Sequence, residues 1–434
     1  MAQSKVSWIC STQSKVWQKL SDVGVNQTSA NLKLSGLRHQ TWHGFGGCFN
    51  EIGWDVLQSL PVSKREAILA SLFDSSKGCC LNFGRIPMGA SDYALQWYSC
   101  NETEGDYAMK HFSIDRDRKY LIPYIKAAQN YQPNIRFFAS PWSPPTWMKS
   151  PRACNYGTLI WNQNNLDAYA LYFQKFVEAY AKQGIPISQV HVQNEPTADQ
   201  KFPSCLWTGV QLRDFIRDHL GPRFHQQGLK TEVWLGTLNS DNYNEYALTV
   251  LSDPKARRFI GGVGYQWGGK NAIHRTLKSF PEVPLMQTEN ECGDGKNTWD
   301  YALYVSDLVH HYAIHGVRAY IYWNMVLPPG GKSTWGWNQN SMVVVDPATG
   351  QVTYTPEFYV MKHYSHFIQP GAERLGMTGQ WAGNAICFAN PDGTLIVVVN
   401  NPLGEARELG FAHASGIMTA ELPAKSVSTF VLRV

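Results

Sequence analysis

Two glutamates in this 434-residue chain each stand directly after a short apolar run. Glu195 follows the segment Val190 to Asn194, and Glu289 follows Leu285 to Thr288. If both runs are strands of one parallel barrel, their carboxyl ends open on the same face and the two side chains share one bowl. Paired carboxyl groups in such a bowl can hydrolyse a glycosidic bond: one protonates the leaving oxygen, and the other attacks the anomeric carbon.

Other carboxylates must be weighed beside this pair. A lone glutamate at a strand end is often a solvated surface residue, but two of them, one preceded by Asn194, favour a catalytic site, since an amide there can bind the sugar 2-hydroxyl. Glu291 is an alternative nucleophile if its strand continues past Glu289, because side chains alternate along a strand. Glu51 is interpreted either as a structural residue or as a substrate contact.

The elements that must position these residues alternate regularly between about residues 41 and 368. Apolar runs predict strands near 41–49, 83–88, 134–140, 189–194, 232–238, 261–267, 283–289 and 317–324. Helical patterns lie near 54–73, 117–130, 165–183, 210–227, 243–258, 271–280, 298–315 and 356–368. The third helix is the clearest, since its apolar residues from Leu166 to Tyr180 recur at spacings of three and four, and Gly184 follows as a C-cap.

This alternation predicts the fold class, an α/β (β/α)8 TIM barrel. The strands are apolar on both faces, as expected for a parallel sheet covered by helices, and eight βα units close a barrel. The chain ends differ: the C-terminal part shows β alternation, with a hairpin turn at Asn390 to Gly393 and a last strand from Ser426 to Val434. We therefore predict a barrel at 41–370 beside a β-sandwich built from 1–40 and 371–434.

Composition excludes several classes of function. The net charge is +4 without a long basic run, so nucleic acid is not an expected partner. Apolar runs are too short to span a membrane, and the first 14 residues lack a signal-peptide core, which leaves a cytoplasmic protein or an exported one with its signal removed. The nine cysteines form no CxxC motif, and neither a metal site nor a cofactor is expected. Oligomeric state is not predicted.

Aromatic residues make up 13% of the chain, including 16 tryptophans. This content fits either a large core or a carbohydrate site, where flat rings stack on sugar faces.

Several short motifs, taken in order, make the chain resemble glycoside hydrolase family 30. The matching segments are Gly44 to Gly47, Arg85 to Met88, Ser140 to Trp147, Asn194 to Pro196, Thr288-Glu289, Trp323-Asn324, and Pro356 to Gly371. They cover most of the chain at barrel spacing.

The resemblance implies a retaining mechanism on a barrel with a side β-sandwich. By position, Glu195 matches the acid/base and Glu289 the nucleophile. The residues that match the lining of the non-reducing sugar subsite are Arg85, Asp92, Trp142, Asn194 and Trp323. Each has a purely structural alternative: a salt bridge for Arg85, a loop cap for Asp92, and core packing for the tryptophans.

The sixth strand departs from the family pattern. Its segment Gly264 to Gly268 lacks the histidine that a lysosomal relative carries, and either Tyr265 or Trp267 is expected to donate a hydrogen bond to Glu289. This departure leaves sugar specificity open.

The sequence thus predicts a carbohydrate-binding glycosidase. The leading hypothesis is exo action on a β-glucoside, β-xyloside or β-fucoside, because the long segment Ser91 to Lys110 could close one end of a pocket. The alternatives are an endo-acting β-1,6-glucanase or β-1,6-galactanase, and a barrel that binds carbohydrate without catalysis. A metal-dependent hydrolase would need a His/Asp cluster at strand ends, and the sequence shows none.

Overall fold

The structure, a computed structural model, describes residues 6–21, 23–26, 29–414 and 416–433. The strands are β1 (Val6–Ser11), β2 (Gln18–Leu20), β3 (Gly24–Asn26), β4 (Leu32–Thr41), β5 (Gly44–Cys48), β6 (Phe83–Pro87), β7 (Arg136–Ser140), β8 (Lys149–Ser150), β9 (Thr158–Leu159), β10 (Ile187–His191), β11 (Glu232–Leu238), β12 (Ile260–Gln266), β13 (Leu285–Glu289), β14 (Val317–Asn324), β15 (Val326–Leu327), β16 (Val343–Asp346), β17 (Gln351–Tyr354), β18 (Glu373–Gly379), β19 (Ala385–Ala389), β20 (Thr394–Asn401), β21 (Arg407–His413), β22 (Gly416–Leu422) and β23 (Ser426–Arg433).

The α-helices are α1 (Glu51–Gln58), α2 (Val62–Phe73), α3 (Leu121–Gln129), α4 (Gln163–Lys182), α5 (Gly209–Phe215), α6 (Gly221–Gln226), α7 (Thr249–Leu251), α8 (Pro254–Arg257), α9 (Ile273–Ser279), α10 (Trp299–Ile314) and α11 (Pro356–Ser365). Three of the predicted helices are interrupted. Residues 59–61 divide the one near 54–73 into α1 and α2, and π-helical turns at Ile216–Leu220 and Asn244–Leu248 break the pattern of two others. Within the described ranges, no helix is long and apolar enough to cross a membrane.

Eight parallel strands close the predicted barrel, in the order β10-β11-β12-β13-β14-β5-β6-β7. Their interior is filled by large side chains, including Phe83, Phe138, Trp234 and Met286, which form a buried cluster of their own. Strand β5 supplies small residues here: a Cβ on Gly46 would lie 2.1 Å from the carbonyl oxygen of Phe83. The barrel interior is therefore a packed core, and a catalytic site is expected at the carboxyl ends of the strands, where the sites of such barrels lie.

Helix α4 shows how the sequence pattern becomes packing. Asn162 caps its N-terminus by accepting from the backbone N–H of Asn165 at 2.9 Å. The apolar face runs along one side, and Tyr169, Phe173 and Tyr180 are fully buried against the barrel. Gly184 follows the C-terminus at φ 70°, the left-handed conformation that glycine adopts without a steric penalty. The predicted helix near 165–183 is confirmed, but its C-cap is Gln183, and Gly184 is the residue after the cap.

Both chain ends join in one ten-stranded sheet, in the order β2-β1-β23-β20-β19-β18-β4-β21-β22-β3. Strands from opposite ends of this order share one core, which contains Trp8, Phe411, Met418 and Phe430, so the sheet folds over on itself as a sandwich does. The predicted hairpin pairs β19 with β20. The sheet's N-terminal strands end at Thr41, and its C-terminal strands begin with β18.

The sheet is fastened to the barrel through helix α11. The buried ring of His363 lies 2.8 Å from the hydroxyl oxygens of both Ser11 and Thr429, and Thr429 Oγ1 also donates to the His363 carbonyl at 2.9 Å. Strands from the two chain ends therefore share one polar anchor on the barrel.

Candidate active site

A cavity of about 540 Å³ opens at the carboxyl ends of the barrel strands, a usual size for a small-molecule site. Its walls come from loops that follow seven of the eight strands. The lining residues are Asp92, Trp142, Asn194, Glu195, Thr197, Ala198, Gln200, Phe202, Asn239, Trp267, Glu289, Glu291, Cys292, Gly293, Trp337 and Gln339. Both candidate catalytic glutamates thus face one space.

Glu289 is the last residue of β13 and is 5% exposed. Its Oε2 atom pairs with Nη1 of Arg85, a fully buried residue of β6, and also accepts from the Gln266 side-chain amide at 3.0 Å. Burial raises the pKa of the Glu289 carboxyl above its ordinary value, and the charge of Arg85 and its hydrogen bond oppose that rise. Arg85 therefore favours the ionised carboxylate, the form that a nucleophile needs.

Glu195 lies four residues beyond the end of β10, so the expectation that this strand runs up to the glutamate is wrong. Its backbone has φ 49°, in the left-handed region that is uncommon outside glycine and is often found at functional sites. Its N–H donates to the carbonyl of Thr237 at 3.1 Å. Burial and the neighbouring charge of Glu289 raise the pKa of Glu195 well above its ordinary value. Its environment therefore favours the protonated acid.

A buried polar network connects the floor of the cavity. The side-chain oxygen of Asn194 accepts from Arg85 Nη2 and from Gln266 Nε2, both at 2.6 Å. Thr237 Oγ1 accepts from the same Gln266 amide at 2.8 Å. Because both donors lie on the oxygen side of Asn194, its NH2 group is directed to the other side. Asn194 itself lines the cavity, where that group can meet a hydroxyl.

Two tryptophans hold Arg85 in place. The ring centroids of Trp142 and Trp323 are 5.5 Å apart in a stacked arrangement, and the Arg85 guanidinium lies 4.5 Å and 5.3 Å from them. Each tryptophan is 1% exposed, and only Trp142 lines the cavity. Trp323 packs on Trp142 and makes a cation–π contact with Arg85, and its role as a stacking platform for a sugar stays a prediction.

Asp92 places a carboxyl group in the part of the cavity wall that is formed by the loop after β6. It is 6% exposed, and its Oδ1 atom has no hydrogen-bond partner. Burial raises the pKa of Asp92 to about 8, and the negative charge of Glu289 contributes to the rise. A buried oxygen without a partner is costly, so this carboxyl is a ready site for a ligand hydroxyl.

The sixth barrel strand corrects one prediction. The Tyr265 hydroxyl lies 2.5 Å from Thr276 Oγ1 of helix α9, on the outside of the barrel, so its assignment as a substrate contact is wrong. Trp267 does line the cavity. The strand's hydrogen bond to Glu289 comes from Gln266, a residue that was not predicted, and the signal for it is a polar residue at the end of an apolar strand.

The remaining carboxylates have other partners. Glu51 accepts two hydrogen bonds from Arg116, each at 2.8 Å, and one from the backbone of Leu95 at 2.7 Å, which favours its structural interpretation. Strand β13 ends at Glu289, so alternation does not extend to Glu291, whose side chain accepts from Tyr304. Glu291 still lines the cavity. In the described part of the chain, no three His, Cys, Asp or Glu residues are grouped as a metal site.

Residues 42–368 match the family model of the glycosyl hydrolase family 30 TIM-barrel domain. The chain belongs to this family and is a glycoside hydrolase of the retaining type, with a carbohydrate as its substrate.

Curated relatives agree with this assignment. The chain is 34% identical to putative glucosylceramidase 1 of Caenorhabditis elegans over 395 residues, which cover 85% of this chain and 75% of the relative. It is 28% identical to the lysosomal acid glucosylceramidase of Mus musculus over 95% of this chain and 85% of that protein. Among solved structures, the endo-beta1,6-glucanase BT3312 superimposes with a TM-score of 0.88 at 25% identity, covering 98% of each chain.

Proposed function

We propose that this enzyme releases terminal glucose from β-linked glucosides, with Glu195 as the acid/base and Glu289 as the nucleophile. The observation that carries the proposal is the unequal pair of buried carboxyls in one cavity. Only Glu289 is held by an arginine, while Glu195 has a strongly raised pKa. Two carboxyl groups whose environments separate their pKa values define an acid and a nucleophile.

In the first step, Glu195 protonates the glycosidic oxygen while ionised Glu289 attacks the anomeric carbon. The bond from carbon to the leaving oxygen breaks, and an ester bond forms between the sugar and Glu289. The Asn194 amide is placed to donate to the sugar 2-hydroxyl, a contact that strengthens in the oxocarbenium-like transition state.

In the second step, Glu195 removes a proton from a water molecule, which attacks the anomeric carbon and releases Glu289. Esterification of Glu289 removes the negative charge that raises the pKa of Glu195. Glu195 therefore becomes more acidic after the first step, and this suits its change from acid to base.

The choice of glucose follows from the relatives, whose names describe enzymes of glucosylceramide and of β-1,6-glucan. The choice of exo action follows from the wall behind Asp92. There the Tyr93 hydroxyl donates to the Gly331 carbonyl at 2.7 Å, and the Thr334 hydroxyl donates to the Ala94 carbonyl at 2.6 Å. These bonds join the loops after β6 and β14, and we infer that the joined loops close this end of the cavity to a continuing glycan.

A mechanism-based trap tests the proposed roles. A 2-fluoro-2-deoxy-β-glucosyl fluoride slows the second step, so the glucosyl ester should accumulate and can be located by mass spectrometry of the digested protein. We expect the label on Glu289 in the wild type and in Glu291→Gln, and no label in Glu289→Gln. A label on Glu291 would reassign the nucleophile, and an unlabelled, inactive wild type would indicate a barrel that only binds carbohydrate.

Product analysis tests exo action separately. On a β-1,6-linked glucan, glucose should be the only early product, because chains enter with their non-reducing end toward Asp92. A ladder of longer oligosaccharides at early times would instead establish the endo-acting alternative.

A further inference from the structure

One part of the cavity wall is formed by the loop after Glu195 and by the loop after β14. The loop that directly follows Glu195 contributes Thr197, Ala198, Gln200 and Phe202 to the lining, and the loop after β14 contributes Trp337, whose ring packs beside Phe202. An acid that protonates the leaving oxygen must stand beside the leaving group. Under the proposed function, on which this inference rests, this half of the cavity is therefore where the leaving group binds.

The lining of this half has a mixed character. Trp337 is 37% exposed, and its ring centroid lies 6.3 Å from the buried ring of Phe202. The Lys201 ammonium lies 4.7 Å from the Trp337 ring and helps to fix it. The Thr197 hydroxyl donates to Asn239 Oδ1 at 3.0 Å, so both polar side chains and flat rings line this part of the wall.

This chemistry selects between two kinds of leaving group. A lipid chain needs a continuous aliphatic groove, but the described residues that line the cavity include no leucine, isoleucine, valine or methionine. A sugar presents C–H faces to a ring and hydroxyls to amides, and both kinds of partner are present. We propose that this half of the cavity is a subsite for a second glucosyl unit and that Trp337 determines this specificity.

Binding to an inactive variant tests the subsite without depending on turnover. In a Glu289→Gln background, calorimetric titration with gentiobiose, the β-1,6-linked glucose disaccharide, would be compared with octyl β-glucoside, which carries an alkyl leaving group. Adding Trp337→Ala should weaken gentiobiose binding about tenfold, as truncation of a binding-site aromatic typically does, and should reduce the preference for gentiobiose over the alkyl glucoside. Trp337→Phe, which keeps a flat ring, should recover most of the affinity.

Trp161 provides the matched control. It is 39% exposed and contacts Trp207 outside the lining of the cavity, so Trp161→Ala should leave gentiobiose binding unchanged. Unchanged gentiobiose binding in the Trp337→Ala variant would overturn the proposal, as would an equal loss for both ligands. A wild type that binds gentiobiose through Trp337 but releases no glucose would refute the proposed function and leave the subsite standing.

Discussion

Replacing Gln266 with alanine removes an amide that joins Glu289 to Asn194 and Thr237. The Nε2 atom lies 3.0, 2.6 and 2.8 Å from acceptor oxygens of these three groups, which its two N–H hydrogens share. A hydrogen bond to a charged group contributes about 1.5 to 3 kcal/mol. At about 1.36 kcal/mol per tenfold change in rate, its loss should lower kcat/KM roughly ten- to 150-fold.

The pH profile should show the loss directly. The Gln266 N–H bonds to the ionised form of Glu289, so its removal makes ionisation harder and raises the pKa of Glu289. The acid limb of kcat/KM for a nitrophenyl β-glucoside should therefore move to higher pH in Gln266→Ala. At a pH where Glu289 is fully ionised in both proteins, the remaining deficit measures the contribution of Gln266 to positioning.

Tyr265→Phe is the control from the same strand. It removes a hydroxyl that contacts Thr276 outside the barrel, and Thr276 keeps its own bond to the Ala272 carbonyl at 3.2 Å. We expect its kcat/KM and acid limb to match the wild type. Activity of Gln266→Ala within twofold of wild type with an unmoved acid limb would refute the assignment, and so would an equal loss in Tyr265→Phe.

In Glu289→Gln, the pKa of Glu195 should fall, because the negative charge of Glu289 that raises it is gone. Carbon-13 NMR of labelled glutamate would measure this pKa, and an unchanged or higher value would contradict the proposed coupling. Burial and the charge of Glu289 raise the pKa of the Cys292 thiol well above its usual range. Iodoacetamide should therefore inactivate the enzyme slowly at pH 7 and faster at higher pH, because the thiolate is the reactive form. Rapid inactivation at pH 7 would contradict the raised pKa. Arg116→Leu leaves the buried Glu51 without its ion-pair partner and should lower the free energy of unfolding by about 2 kcal/mol. This is less than the loss usually found when a buried ion pair is broken, because Arg116 is partly exposed. Denaturant titration would measure the change, and an unchanged free energy of unfolding would mean that the pair is energetically neutral.

The sequence was sufficient for the architecture because barrel elements are specified locally. Each strand of the barrel is a short apolar run between turn residues, and helices such as α4 carry their buried face at regular spacing. The same locality placed Glu289 at a strand end. The local pattern was less reliable for β10, which ends at His191 and not at Asn194. The polar segment up to Glu195 leaves the sheet and continues as a loop, which nothing in its composition indicates.

Tertiary structure alone decided which side chains meet. Tyr265 and Gln266 are neighbours in one strand, and the direction of the pleat sends the tyrosine outward to α9 and the amide inward to Glu289, a difference that one residue of register would reverse. The contacts of Arg85 and the role of Trp337 depend on loops from separate strands. Local sequence determined the barrel and the strand that ends at Glu289, because both follow from periodicity. The network around this proposed nucleophile required the closed barrel to bring distant residues together.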